Sequence, residues 1–325
     1  MTTPLPVASV SLDLDDLWTY LRTRGDPRWQ ARPSYLPTYL PIVLELLERL
    51  GLRVTFFVVG FDATQDANVR FLRSVADQGH EIGNHSFSHQ SWMHLLPRER
   101  LEQEITQSHT ALLAATGKRP IGFRGPGYTW SPDLLDLLER HEYVYDASTL
   151  PSFIGPLARL YFLTATRMTR EERGRRAGLF GSLRDGFRPN KPYQWRLGEG
   201  RSLVELPVTT FPVSRVPFHM SYLLYLSRFS HGLMLAYLRS ALVTCRLFRV
   251  QPSFLLHPLD LLGGDQAPEL TFFPGMDLPV QRKRQVFTEV LDILRSEFEL
   301  ITVGAHAKRL AESGVLPRRV PVLAL

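Results

Sequence analysis

The sequence predicts an α/β protein: a closed or nearly closed (β/α) barrel with a mainly helical insertion. Three observations predict it. Short segments rich in β-branched and aromatic residues alternate with helical stretches of 10–15 residues, the pattern of a parallel sheet. Polar clusters fall at the ends of those segments, where the active sites of such barrels lie. And 325 residues, 44% hydrophobic and 22% charged, make one large domain, or one domain with a sizeable insertion, rather than a disordered or fibrous chain.

The elements follow in order. Val7–Asp15 sets Val10, Leu12 and Leu14 against Ser11, Asp13 and Asp15, a strand with one polar face. A helix at about Tyr39–Leu50 is closed by Gly51. Arg53–Gly60 reads as a buried strand, followed by a helix near Asn68–Gln78, the short strand His80–Gly83 and a helix at Pro97–Thr116. Pro120–Arg124 is a strand; Ser131 caps a helix with Pro132 at its first position. Tyr143–Tyr145 is the next strand. The alternation stops near Leu150 and resumes with strands Leu203–Pro207 and Pro252–Leu256, a helix around Gln281–Glu297 and the strand Leu300–Val303. The stretch at about 152–250 is the expected insertion.

Composition excludes several classes. A single cysteine, Cys245, leaves neither a disulfide framework nor a thiolate zinc site. No apolar run is long enough to span a bilayer. Met1–Pro6 is short for a signal peptide ahead of a strand at Val7, so a cytoplasmic protein is expected. The net charge of +6 is concentrated: Arg159–Arg196 holds ten Lys/Arg and three acids, against 28 and 29 in the rest of the chain. Such a patch suits an anionic partner such as phosphate head groups. No nucleic-acid motif accompanies it, so nucleic acid is not expected.

Four clusters carry candidate chemistry. Asp13 and Asp15 end the first strand on one face. His85 and His89 stand at i, i+4 spacing after a strand; if helical, they share a face and can grip one metal ion with those carboxylates. Arg124-Gly125-Pro126-Gly127-Tyr128 is a tight loop whose backbone N–H groups can point at a substrate. His257 ends the apolar run Phe254-Leu255-Leu256 at the same end of the barrel. A His₂Asp set with an open position is what a hydrolytic metal site needs. His94, His109, His141, His219, His231 and His306 have no evident partner and read as structural.

In this order the clusters resemble the polysaccharide deacetylase (NodB-homology) family, carbohydrate esterase family 4. The matches are Ser11-Leu12-Asp13-Leu14-Asp15-Asp16, His85-Ser86-Phe87-Ser88-His89, Arg124-Gly125-Pro126, Tyr145-Asp146 and Leu255-Leu256-His257. The resemblance covers about residues 7–150 well and 252–308 moderately. It implies a distorted barrel, a divalent metal and hydrolysis of an N-acetyl group. By position, Asp15, His85 and His89 would bind the metal, Zn²⁺ first, with Co, Ni or Mn as alternatives. Asp13 would be the general base, Arg124 its orienting partner and His257 the general acid, with Gly127, Tyr128 and Asp146 on the substrate and oxyanion side. The first motif departs from the commonest form, two adjacent Asp, so the pair is Asp13 with Asp15 or Asp15 with Asp16; strand alternation favours the former.

The unmatched middle adds a substrate expectation. Between Glu205 and Asp260 there is no acid, while Arg215, Arg228, Arg239, Arg246 and Arg249 break up an apolar sequence. As one helix over 220–250, Arg228, Arg239 and Arg246 would lie within about 20° of one another, a basic amphipathic surface suited to an anionic membrane; Ser230-His231-Gly232 would interrupt it. The expected partner is an N-acylated amino sugar, polyprenyl-phosphate-linked at the cytoplasmic membrane face. A soluble glycan or small amide, and a non-catalytic barrel that binds a membrane or partner, are the alternatives.

Overall fold

The computed structural model describes residues 4–154, 183–314 and 316–321. Ten strands form one sheet: β1 (Val7–Leu14), β2 (Thr55–Val58), β3 (Glu81–Asn84), β4 (Gly122–Phe123), β5 (Tyr145–Asp146), β6 (Tyr193–Arg196), β7 (Ser202–Glu205), β8 (Ser253–Leu256), β9 (Glu299–Ile301) and β10 (Arg318–Arg319). Their order is β10-β6-β7-β5-β4-β3-β2-β1-β8, with β9 also on β1, and every pairing is parallel except β6 with β7. The ring closes irregularly. Beyond β7 the chain bonds to Asp146 and Thr149, and then Thr209 N–H donates to Ser253 O of β8 at 3.1 Å. The expected barrel is therefore present in distorted form, with β6 and β10 as an outlying flap.

Ten described helices surround it: α1 (Leu17–Arg24), α2 (Leu36–Arg49), α3 (Gly60–Ala63), α4 (Asp66–Asp77), α5 (Arg98–Thr116), α6 (Pro132–Arg140), α7 (Met220–Ser227), α8 (His231–Leu247), α9 (Val280–Glu297) and α10 (Val303–Glu312). Ser131 caps α6 as its sequence predicts, its hydroxyl accepting from Leu134 N–H. The main core lies between barrel and helices, where Val10, Leu12, Phe56 and Val58 meet Leu40, Val43, Leu72 and Leu291.

The polar face of β1 lines the barrel interior: Ser9, Ser11 and Asp13 are buried there, where His306 and Arg124 satisfy them. His306, read from the sequence as having no evident partner, lies within hydrogen-bond distance of Ser9 Oγ and Gln251 Oε1. The stretch 220–250 is two helices, because Ser230 starts a new one by capping Leu233 N–H. Two of its arginines turn to acids, Arg228 to Asp277 and Arg246 to Glu297, both at 2.6 Å. Of the expected insertion, residues 155–182, with most of the Arg159–Arg196 patch, lie outside the described residues; the rest supplies strands β6 and β7 as well as α7 and α8.

Candidate active site

The end of β1 and the two residues that follow it place three carboxylates, each with different partners. Asp13 points into the barrel, where Arg124 Nη1 donates to its Oδ1 at 2.5 Å and to Ser11 Oγ at 2.9 Å. Arg124 is fully buried; its Nε donates to Ala147 O at 3.0 Å, and its guanidinium lies 4.2 Å from the Phe57 ring centroid. Asp15 follows the strand and meets the two histidines. Asp16 turns the other way, its Oδ1 accepting from Leu17 N–H at 2.7 Å and Tyr35 N–H at 2.9 Å as the N-cap of α1. Burial pushes the Asp16 carboxyl up to about 6 against those bonds.

His85 and His89 converge on Asp15 without a helix. The segment after β3 is irregular, with Ser86 at φ 61° and His89 at φ 50°, so the shared helical face that their spacing suggests does not exist. Left-handed residues curl the loop instead. His89 Nε2 lies 2.8 Å from Asp15 Oδ1, and His85 Nε2 lies 3.5 Å from it. Candidate donor atoms of all three fall within 4.8 Å of one another.

These residues fit a divalent cation. His85 Nδ1 is 2.6 Å from the Arg124 carbonyl, which can only accept, so Nδ1 carries the proton and Nε2 of the neutral ring presents a lone pair. Asp15 Oδ1 is buried and makes no hydrogen bond despite the nearby imidazoles. Electron-pair donors facing one point without a shared proton are the arrangement a cation relieves. The charges agree. Burial would raise the Asp15 carboxyl, but His89 and His85 outweigh it and hold it well below the usual carboxylate range. Burial pushes His89 down; for His85, Asp15 and Asp13 overcome burial and push it up.

The supporting groups carry no motif that sequence reading could catch. Glu104 of α5 straps the histidine loop, its Oε2 accepting from Phe87 N–H at 3.0 Å and Ser88 N–H at 2.8 Å. Arg22 of α1 donates to the His89 carbonyl. An acid and an arginine on amphipathic helices look like surface residues until the tertiary contact is formed.

The remaining predicted residues divide. Gly127 is exposed, at φ 65° in a loop crest that favours glycine, and Tyr128 follows at φ 59° beside Asp13 and Asp15. Burial pushes the Tyr128 hydroxyl well above its ordinary value. His257 stands one residue past β8, whose register sets Leu256 beside Leu12 and so brings His257 to the level of Asp13. Asp146 is drawn in: fully buried, it accepts from Ser148 Oγ at 2.5 Å, and Ser148 Oγ in turn accepts from Gly125 N–H at 2.7 Å. It touches the Arg124 loop through Ser148, not the solvent side of the site.

Comparison with known proteins agrees with this geometry. Residues 5–145 match the family model described as polysaccharide deacetylase. A peptidoglycan deacetylase-like protein of Gibberella zeae is 34% identical over 124 residues, 37% of this chain and 34% of that one. The peptidoglycan-N-acetylglucosamine deacetylase of Bacillus cereus is 36% identical over 95 residues, 29% of this chain and 41% of that one. The chain thus spans well under half the length of these relatives. A Mycobacterium smegmatis crystal structure, named as a polysaccharide deacetylase, superimposes with a TM-score of 0.61 at 18% identity, over 100% of this chain and 98% of that one, and shares the fold. Over residues 5–145, then, this chain is similar to the polysaccharide deacetylase family, and the Asp15, His85 and His89 cluster lies within that matched stretch.

Proposed function

We propose that this chain is a metal-dependent hydrolase that removes an N-acyl group, foremost acetyl, from an amino sugar. The observation that carries the reading is the convergence of Asp15, His85 and His89 beside the buried Asp13–Arg124 pair. Asp15, His85 and His89 would hold the cation, Zn²⁺ first and Co²⁺, Ni²⁺ or Mn²⁺ as substitutes. When bound, it lowers the pKa of water to about 7 and polarises the acyl carbonyl. Asp13 accepts the proton of the attacking water, and Arg124 fixes the carboxylate that does so. Gly127 offers its N–H to the developing oxyanion, with Tyr128 as wall. His257 hands a proton to the departing nitrogen. Asp146 acts at one remove, steadying the Arg124 loop through Ser148.

The finer reading is that the amino sugar is linked to a polyprenyl phosphate at an anionic membrane. Two surface features support it. A cavity of about 380 Å³ is lined by Arg184, Arg188, Arg318 and Arg319 with Phe187 and Trp195. Along α7 and α8, Tyr225, Phe229, Leu233, Val243, Leu247 and Phe248 are exposed, with Arg239 and Arg249 among them. A soluble glycan is the second reading, favoured by relatives named chitooligosaccharide deacetylases. A non-catalytic barrel has no need of Asp13, Asp15, His85, His89, Arg124 and His257 together.

The test is acyl release by the zinc-loaded protein from a polyprenyl-phosphate N-acetylhexosamine beside a soluble chitin oligomer, with His85→Ala as control. Release from the lipid alone, lost in the variant, is expected. Release from the oligomer alone would keep the chemistry and discard the lipid; silence on both, with no tight metal binding, would revive the non-catalytic barrel.

A further inference from the structure

Helix α7 comes from a part of the chain that the family match over residues 5–145 does not reach, yet its first turn lies against His257. Ser221 Oγ is 2.7 Å from Asp260 Oδ1 and 3.4 Å from His257 Nδ1. Asp260 Oδ2 accepts the His257 backbone N–H at 2.7 Å, so the carboxylate, 1% exposed, clamps the histidine's backbone and the serine together. A hydroxyl has one proton to give, and a carboxylate can only accept. Burial raises the Asp260 carboxyl, while His257, the Ser221 hydroxyl, the His257 backbone N–H and Lys283 oppose that rise; with Asp260 ionised, the Ser221 proton goes to Asp260, and the serine oxygen turns its lone pairs to His257 Nδ1. An acceptor at Nδ1 selects the tautomer with the proton there.

We propose that Ser221 and Asp260 are positioning residues that hold His257 as the Nδ1–H tautomer, leaving Nε2 as the atom that loads and delivers the proton. The inference rests on the reading of His257 as proton donor. In the step it serves, the C–N bond breaks, its electron pair goes to nitrogen, and nitrogen takes the proton from imidazolium Nε2. His257 is left neutral with Nδ1–H still facing Ser221, and solvent reprotonates Nε2 before the next turnover. The other ionisable groups facing this assembly are few. The His219 ring, 5.7 Å from that of His257, is pushed well below its ordinary pKa by burial and stays uncharged. Lys283 donates to the Leu259 and Leu262 carbonyls, both at 2.6 Å, behind Asp260, and Tyr20 and Tyr39 lie near the same carboxylate.

The experiment is ¹⁵N NMR of the imidazole nitrogens in the full-length, metal-loaded protein at alkaline pH, with the His257 signal assigned through His257→Gln. The wild type is expected to show a protonated Nδ1 and an unprotonated Nε2. Ser221→Ala should give a tautomer mixture, a kcat lower by about 10-fold with KM little changed, and a shifted pH profile; a wrong tautomer costs serine hydrolases more, about 10⁴. Ser221→Thr, which keeps the hydroxyl, should restore both readouts. An Nε2–H tautomer in the wild type, or an unchanged signal in a folded Ser221→Ala, would overturn the relay while leaving the donor role intact. Full activity in His257→Gln would instead remove the donor role on which the relay rests.

Discussion

Three acids within four residues illustrate how residue type underdetermines role. Asp13, Asp15 and Asp16 are chemically identical, and strand periodicity separates them only into faces. What distinguishes them is tertiary: Arg124 reaches Asp13, the histidine loop reaches Asp15, and the N–H groups of Leu17 and Tyr35 claim Asp16. The sequence carried the candidate site, because residue types suited to metal binding and acid/base chemistry recur at strand ends. The partners from other elements were not legible, since contact between distant segments leaves no local pattern. Substitution should separate the three. Asp13→Asn leaves a buried guanidinium without its counter-charge, so it should lose about 10²–10⁴ in kcat and about 3–5 kcal/mol of stability, while metal affinity changes little. Asp15→Asn should weaken metal binding in calorimetry without that loss of stability. Asp16→Ala should cost about 0.5–2 kcal/mol as a lost cap and leave metal affinity unchanged. Chemical denaturation and metal titration of the three proteins test the assignment; strong metal loss in Asp16→Ala would reverse it.

At the scale of elements, the strands were read nearly at their observed places because β-branched and aromatic runs are local signals, whereas β6 and β10 escaped notice. These two are short and peripheral, and Arg318–Arg319 carries no β pattern at all. The parallel strands are also packed by contacts no single strand reveals. Gly83 of β3 is in register with Phe57 of β2, and a Cβ there would meet the Phe57 ring at 2.5 Å. That ring supports Arg124 on its other contact. Gly83→Ala should therefore cost about 1–3 kcal/mol by overpacking and also lower kcat, although it touches neither metal ligand nor substrate. A stable variant with full activity would show that Phe57 yields freely. Between β5 and β7 the register sets Asp146 beside Glu205, two buried carboxyls. Burial pushes Asp146 up to about 6, against the bonds from Glu205 and Ser148, and burial together with Asp146 raises Glu205 well above its ordinary value. Raised folded-state values mean that the native protein keeps protons the unfolded chain has released. Stability from this pair is therefore present at acid pH and falls as pH rises from about 4 through about 6, by up to about 1.4 kcal/mol per pH unit for each proton. Asp146→Asn should flatten that fall in denaturation series at pH 4.5, 6 and 7.5, compared with the parent at equal metal loading. An identical slope in both proteins would mean that the pair does not titrate in this window.

For the whole molecule, the question is what the uneven surface is for. Among the described residues no helix is long and apolar enough to cross a membrane, and the membrane contact proposed above is a surface face. The composition hinted at such a face, but as a single helix with its arginines aligned; the packed molecule divides that sequence at Ser230 and commits Arg228 and Arg246 to ion pairs with Asp277 and Glu297. What remains outward is apolar more than basic: Phe229 is 68% exposed and Leu247 74%, with Arg239 and Arg249 alongside. At the end of α8, Phe248 also lines a cavity of about 300 Å³ with Lys191, Arg215 and Arg319, so the apolar face runs into a basic one. Inserting such side chains into a bilayer interface returns about 25 cal/mol for each Å² of apolar area removed from water, and each nearby arginine adds about 1 kcal/mol on an anionic leaflet. Both terms are needed for stable attachment, and the second is screened by salt. The protein should therefore float with phosphatidylcholine vesicles containing phosphatidylglycerol at low salt and release at high salt, and bind pure phosphatidylcholine weakly. Leu247→Glu with Phe248→Glu should abolish flotation while leaving metal binding and turnover of any soluble substrate unchanged, because neither residue reaches the barrel mouth. Equal flotation of the variant would assign the membrane contact to another surface. Failure of the parent protein to float at all would reduce α7 and α8 to packing helices whose contribution to function is the Ser221 hydroxyl.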